Sequence, residues 1–284
     1  MIKLCAFADE ASPEIDGQIA ALKRNEINLI EVRGLNGVNI ADITEEEARG
    51  YAAQFKAAGI KVWSIGSPIG KVDINEDFGE HLKLLHHILR LANIFETKRV
   101  RIFSFYNAYD KEDEVIQRLK TMIAVANAYG VHLCHENEKN VFGDTPERIG
   151  KIIDSVAGIS IVYDPANFVE VGVSAIAAKS FLYGKIDYYH VKDAIASTGE
   201  IVPAGMGDGD IFDMISDLCR DEERVLTVEP HLRTFEGYSD IDPTEMKNKY
   251  VFSTNDEAFD AACRAIKKVI SQCGYKEYNG EYLK

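Results

Sequence analysis

Four residues in the second half of the chain have the types and spacing of a hard metal site. Glu136 ends the strand-like stretch that begins Val131-His132-Leu133. Asp164 follows Ile159–Tyr163, His190 follows Ile186–Tyr189, and Glu229 follows Val225–Val228. A short apolar run reads as a buried strand, and a polar residue at its end stands where the chain leaves the core. The first two intervals are one strand-plus-helix unit long; a glycine-rich loop lengthens the third. Two glutamates, an aspartate and a histidine form an oxygen-rich ligand set. It suits one divalent ion, Mn²⁺, Mg²⁺, Co²⁺ or Zn²⁺, rather than copper or a thiolate site. A lone strand-end carboxylate is ordinarily solvated or caps a helix. Four after consecutive apolar runs point to convergence.

The elements that must position them can be read in order. Lys3–Ala8 is a strand, and Ser12-Pro13 predicts a helix start with Ser12 as cap. Strands follow at 28–32, 61–65 and 99–103, with helices between them. Thr44 and Glu47 form a capping-box pattern, and Gly59 and Gly130 close helices. Asp77–Thr97 and Glu112–Tyr129 are long helices, and Thr145-Pro146 opens another. A weaker helix spans 174–183, one at 211–219 precedes strand eight (224–228), and Asn255–Gln272 ends the series. Eight strand-then-helix units with no Pro- or Ser-rich linker predict a single-domain α/β fold, a (β/α)8 TIM barrel over residues 1–284. An open doubly wound sheet ordinarily has a glycine-rich turn after strand one. Here that turn reads Asp9-Glu10-Ala11-Ser12.

The barrel reading puts all four residues at one mouth, because the carboxyl ends of barrel strands share a face. Two long connections belong to the same face. Residues 194–210 carry Gly199, Gly205, Gly207 and Gly209; residues 230–254 carry Arg233, Tyr238, Tyr250 and several acids. Long loops there commonly act as lids.

Composition narrows the partners. A net charge of −14 over 284 residues disfavours a phosphate backbone, so no nucleic acid is expected. With 46% hydrophobic and 27% charged residues, the chain has ample core material. Cys5, Cys134, Cys219, Cys263 and Cys273 contain no CxxC pair and read as reduced thiols of a cytoplasmic protein. Neither a signal peptide nor a membrane-length apolar run is seen, so no membrane partner is expected. A homo-oligomer is left open.

The motifs Glu136-Asn137, Asp164-Pro165-Ala166-Asn167, His190-Val191-Lys192-Asp193, Gly207-Asp208-Gly209-Asp210 and Val228-Glu229-Pro230-His231 carry a resemblance over nearly the whole chain. Together they resemble the xylose isomerase-like TIM barrel superfamily of sugar phosphate isomerases and epimerases. The resemblance implies that Glu136, Asp164, His190 and Glu229 bind one metal. It also implies that Glu136 and Glu229 act as acid/base groups on opposite sides of a small sugar substrate. Such an enzyme removes a proton beside a carbonyl and returns it, while the metal stabilises the enediolate. Many relatives carry histidine where this chain has Asn167. An amide is a poor ligand, which argues against a multinuclear site like that of endonuclease IV.

Weaker candidates surround this set. Glu138 rivals Glu136, since alternation puts both on one side of the strand; family register prefers Glu136. Asn167, Lys192, His231, Glu138 and Lys71 are candidate substrate contacts. Lys192 has an alternative in a salt bridge to Asp193, His231 in a surface position and Lys71 in a solvated loop. Glu10, Arg33 and Ser67 also follow strands, and Phe105, Tyr106 and Phe168 are wall candidates. Gly207–Asp210 reads as a turn opening a helix. The expected activity is metal-dependent sugar isomerisation or epimerisation. The competing readings are an inosose-type dehydratase, an endonuclease IV-like phosphodiesterase and a non-catalytic sugar binder.

Overall fold

The computed structural model describes residues 1–218, 222–238, 246–247 and 250–284. Eight parallel strands form its centre: β1 (Ile2–Ala6), β2 (Leu29–Val32), β3 (Lys61–Gly66), β4 (Arg99–Ile102), β5 (His132–Glu136), β6 (Ser160–Tyr163), β7 (Ile186–Val191) and β8 (Arg224–Val228). They pair in chain order. β8 returns to β1, with Ile2 opposite Arg224 and Ala6 opposite Val228, so the sheet closes into a barrel. Helices alternate with the strands: α1 (Ile15–Arg24), α2 (Glu45–Ala58), α3 (Phe78–Ile94), α4 (Glu112–Ala128), α5 (Pro146–Ser155), α6 (Ala175–Leu182), α7 (Ile211–Ser216) and α8 (Asn255–Gln272). This is the TIM barrel expected from the strand–helix repeats.

Alternation along the strands divides the core in two. Leu133, Ile161, Tyr163, Tyr189, Leu226 and Val228 belong to the large cluster that packs against the helices. Cys5, Cys134, Val162, Tyr188 and Val225 form a separate cluster that also contacts Trp63. A period of two then puts Glu136, Asp164, His190 and Glu229 on the same side as that smaller, inner cluster. The closed barrel therefore turns four strand ends toward one another.

Local chemistry sets the boundaries. Thr44 Oγ1 accepts the Glu47 amide while Glu47 accepts the Thr44 amide, completing the capping box on α2. The expected start of α1 needs correction. Ser12 Oγ accepts the Glu14 amide in a turn, and the helix begins at Ile15 with Glu14 as its cap. A short helix at Pro165–Glu170 was not anticipated. Asp164 caps it by accepting the Asn167 amide, so one residue ends β6 and begins a helix. α7 ends at Ser216, and Cys219, placed in that helix by the sequence reading, lies outside the described residues. So do the acids Asp240, Asp242 and Glu245 of the second long connection. Cys5, Cys134, Cys263 and Cys273 are buried free thiols. Among the described residues no helix is long and apolar enough to cross a membrane.

The chain ends in a hairpin, β9 (Lys276–Tyr278) and β10 (Glu281–Leu283), and β10 pairs antiparallel with β1 at Ile2 and Lys3. Its turn is Asn279-Gly280, both at positive φ, as a two-residue hairpin turn requires.

The glycine-rich connection after β7 is organised by Asp193. Its carboxylate accepts the amides of Gly205, Gly207 and Gly209, each at 2.9 Å. A Cβ on Gly207 or Gly209 would come within 2.5 or 2.7 Å of Asp193 Oδ1. The glycines thus wrap a carboxylate of their own chain, and the expected pairing of Asp193 with Lys192 is replaced by these bonds. The Ala194 amide donates to the same carboxylate at 3.0 Å, so replacing Asp193 with alanine leaves four amides without their acceptor. Asp193→Ala should cost about 2 kcal/mol or more in urea unfolding, and an unchanged midpoint would remove this account of the loop.

Candidate active site

The four strand-end residues meet. Each of Glu136, Asp164, His190 and Glu229 is buried, and one ligand atom from each lies within 4.8 Å of the others. His190 Nδ1 is 2.9 Å from Glu136 Oε1 and 3.5 Å from Glu229 Oε2. Asn137 staples two of the strands. Its amide nitrogen donates to the Asp164 carbonyl at 2.7 Å, and its oxygen accepts the Asp164 amide at 2.9 Å. Asn167 donates from Nδ2 to the Asn137 carbonyl at 2.8 Å and reaches Glu136 Oε1 at 3.4 Å. Asp164 and Glu136 are thereby fixed by backbone as well as by packing.

Buried cations balance these acids. Arg101 Nη1 donates to Glu136 Oε2 at 2.9 Å, and Lys192 Nζ is 3.3 Å from Asp164 Oδ2 and 3.6 Å from Glu229 Oε2. Burial raises the Glu136 carboxyl, but His190 and Arg101 outweigh it and hold the group down at about 2. Burial prevails at Asp164 despite Lys192 and lifts its carboxyl to about 7. Burial also works against the Lys192 ammonium, yet Asp164 and Glu229 keep it well above the usual lysine range.

The donor set fits a divalent ion. Asp164 Oδ2 and Glu229 Oε2 are buried without a hydrogen-bond partner among the described residues. Lys192 Nζ stands near both, and a buried carboxylate oxygen that accepts no hydrogen bond can also take the charge of an ion. Three carboxylates and one imidazole are ligands that Mn²⁺, Mg²⁺, Co²⁺ and Zn²⁺ accept. A second acidic group, Glu10, Glu229 and His231, also lies within ligating reach. There the Arg33 guanidinium already supplies the positive charge, 3.1 Å from Glu10 Oε1 and 3.3 Å from Glu229 Oε1. Phe7 and Phe235 flank that guanidinium at 4.4 and 4.8 Å. Glu136, Asp164, His190 and Glu229 are thus a group that could hold an ion.

A cavity of about 390 Å³ opens beside the cluster; its lining includes Arg101, Glu136, Asn167, Lys192, Glu229 and His231. Lys71 and Glu138 also line it, joined by a 2.7 Å ion pair, so Glu138 turns to Lys71 rather than to the ligand cluster. Lys71 is no solvated loop lysine: its side chain is 9% exposed and lies over the Phe103 ring. His231 is buried and stacks on Phe235. Phe105 and Phe168 are fully buried in the core and do not line this cavity, contrary to expectation.

Sequence reasoning passed over Arg101 and Glu31. Arg101 sits inside the fourth apolar run and was read as part of the strand. Glu31 is buried at 1% exposure and takes hydrogen bonds from Tyr188 and Thr227. The available signal was a charged residue interrupting an apolar strand, since charges are almost never fully buried unless paired.

Residues 19–267 match the family described as "Xylose isomerase-like TIM barrel". The chain belongs to this family. Among solved structures, this xylose isomerase-like barrel is similar to a zinc-containing IolI protein, with 18% identity, a TM-score of 0.74, and coverage of 95% of this chain and 98% of that one. It is similar to an L-ribulose 3-epimerase at 17% identity and a TM-score of 0.74, covering 96% of each chain. It is also similar to the probable 3-DHS dehydratase AsbF of Bacillus anthracis, at 15% identity and a TM-score of 0.72, covering 93% of this chain and 98% of that one. These likenesses show the shared fold. No curated protein matches the chain.

The loop that carries Lys71 depends on a neutral histidine. His81 Nε2 accepts the Gly70 amide at 3.0 Å. Burial holds the His81 imidazole down at about 4. A depressed folded-state pKa stabilises the fold fully above the ordinary histidine value near 6.5, and that contribution is lost as pH falls through about 4. His81→Phe should therefore show a shallower loss of stability than the wild type between about pH 6.5 and 4. Urea unfolding at several pH values measures the two slopes; equal slopes would contradict this reading.

Proposed function

We propose that this barrel is a divalent-metal-dependent isomerase or epimerase of a sugar, sugar phosphate or sugar acid. The observation that carries the reading is the pair Glu136 and Glu229. They come from the outer two of four consecutive strands and converge on His190, beside a cavity large enough for a small polyol. Glu136, Asp164, His190 and Glu229 would hold the ion. Bound there, a divalent ion supplies Lewis acidity that draws off negative charge from a carbonyl oxygen when the neighbouring carbon loses its proton.

The chain's own residues do the rest. One of the two glutamates removes the proton, and return from the opposite side gives an epimer. Return to the adjacent carbon gives an isomer. Lys192 faces the same cavity and donates a hydrogen bond to a substrate oxygen. Asn167 Oδ1 and His231 Nε2 are buried without a hydrogen-bond partner among the described residues, and both residues line the cavity. Substrate hydroxyls are their natural partners, because a buried polar atom left unpaired costs about 1–3 kcal/mol. The Lys71–Glu138 pair contacts the substrate at the cavity wall.

A dehydratase is the second reading, favoured by Lys192. An ammonium beside Glu229 is placed to protonate a departing hydroxyl after the same proton abstraction. Product mass separates the two activities, since only elimination loses water. The phosphodiesterase reading has less support, with Arg33 in place of a second metal and a net charge of −14.

The purified protein should carry about one divalent ion per chain, as a single-ion site requires. Asp164→Asn and Glu229→Gln should each reduce that content. Solvent deuterium should enter the substrate ketose, and Glu229→Gln should slow its entry by about 100-fold or more. Protein that fails to bind added Mn²⁺, Co²⁺ or Zn²⁺ would end this reading.

A further inference from the structure

Glu31 lies on β2, across the barrel from the ligand residues, and no step above uses it. It is buried at 1% exposure, and two hydroxyls donate to it. Tyr188 donates its hydroxyl to Oε1 at 2.7 Å, and Thr227 donates to Oε2 at 3.1 Å. His190 Nε2 stands 3.2 Å from the same Oε2. A further hydroxyl, Ser64 Oγ, lies 3.1 Å from the Tyr188 oxygen and extends the network to β3. Four strands thus contribute to a polar layer beneath the mouth.

The two edges of the His190 ring face different surroundings. Nδ1 faces the carboxylates of Glu136 and Glu229. Nε2 faces Glu31, which is absent from the group whose ligand atoms converge. Phe7 and Tyr188 pack edge-on to the ring, at centroid distances of 5.2 and 5.6 Å, and oppose its rotation. A ring nitrogen that donates to a buried carboxylate cannot also bind an ion. Were an ion held by the four residues, the proton would stay on Nε2 against Glu31, and the Nδ1 lone pair would be free for the ion.

We propose that Glu31 is a positioning residue for the ion site, holding His190 so that Nδ1 and not Nε2 is its ligand atom. The inference rests on the proposed ion site and extends it inward by one layer. A carboxylate behind a ligating histidine fixes the ring's orientation and makes the nitrogen facing the ion more basic. Tyr188 and Thr227 hold that carboxylate in place, so its orientation does not depend on His190.

The test is Zn²⁺ titration of ion-free wild type and Glu31→Gln by calorimetry, with thermal melting of both in the ion-free state. Glutamine keeps the shape and removes the charge. Zn²⁺ affinity should fall about 10- to 100-fold, the usual effect of losing such a partner. The ion-free melting temperature reports any purely structural damage. In parallel, nitrogen-15 NMR of histidine-labelled, Zn²⁺-loaded wild type should show His190 with its proton on Nε2 and the metal on Nδ1. That measurement decides the matter even if the variant fails to fold. Zinc on Nε2, or a variant that binds within about twofold of wild type, would overturn the inference while leaving the ion site standing. Wild type that binds no ion would remove both.

Discussion

Burial of negative charge at the barrel mouth is the constraint on which the site depends. Glu10, Glu31, Glu136, Asp164 and Glu229 are all nearly inaccessible to solvent. Removing a carboxylate from water costs several kcal/mol even after relaxation. The fold answers with Arg33, Arg101 and Lys192, each also buried and each in contact with at least one of these acids. Compensation is incomplete at Asp164, whose carboxyl burial lifts to about 7 despite Lys192 and whose Oδ2 lacks a hydrogen-bond partner among the described residues. The deficit lies where four ligand atoms converge, and a divalent ion would remove it.

The barrel makes this arrangement achievable. Each strand presents alternate residues inward, so a short stretch supplies both an apolar plug and a polar ligand. β7 and the residue that follows it show the pattern most completely: Tyr188 joins the inner apolar cluster, His190 the group of four and Lys192, one position past the strand, the cavity wall. Rigid strands hold such groups more accurately than loops can. Loops contribute where adaptability is needed, and His231, Lys71 and the Asp193-centred glycine loop surround the cavity.

Much of the fold was legible because its determinants are local. Apolar runs, the Thr44–Glu47 box, helix-closing glycines and the repeat length each act over a few residues, and each survives in the structure. Failures were also local in origin. The start of α1 was misplaced because Ser12 forms a turn in place of a cap. The short helix after β6 was missed because its cap, Asp164, reads equally as a strand-end ligand. The C-terminal hairpin was announced by Asn279-Gly280, but its strands are too short and polar to stand out.

The sequence by itself determined which residues stand at strand ends, and hence the four candidate ligands, because alternation and strand length are properties of a short segment. Only the tertiary structure decided which of them are neighbours and what lies behind them. Glu138 turns to Lys71, Arg101 balances Glu136, and Glu31 reaches His190 from across the barrel. These pairings join residues up to 159 positions apart. They depend on barrel closure and on the desolvation that closure imposes, and neither is written in the spacing of a single strand.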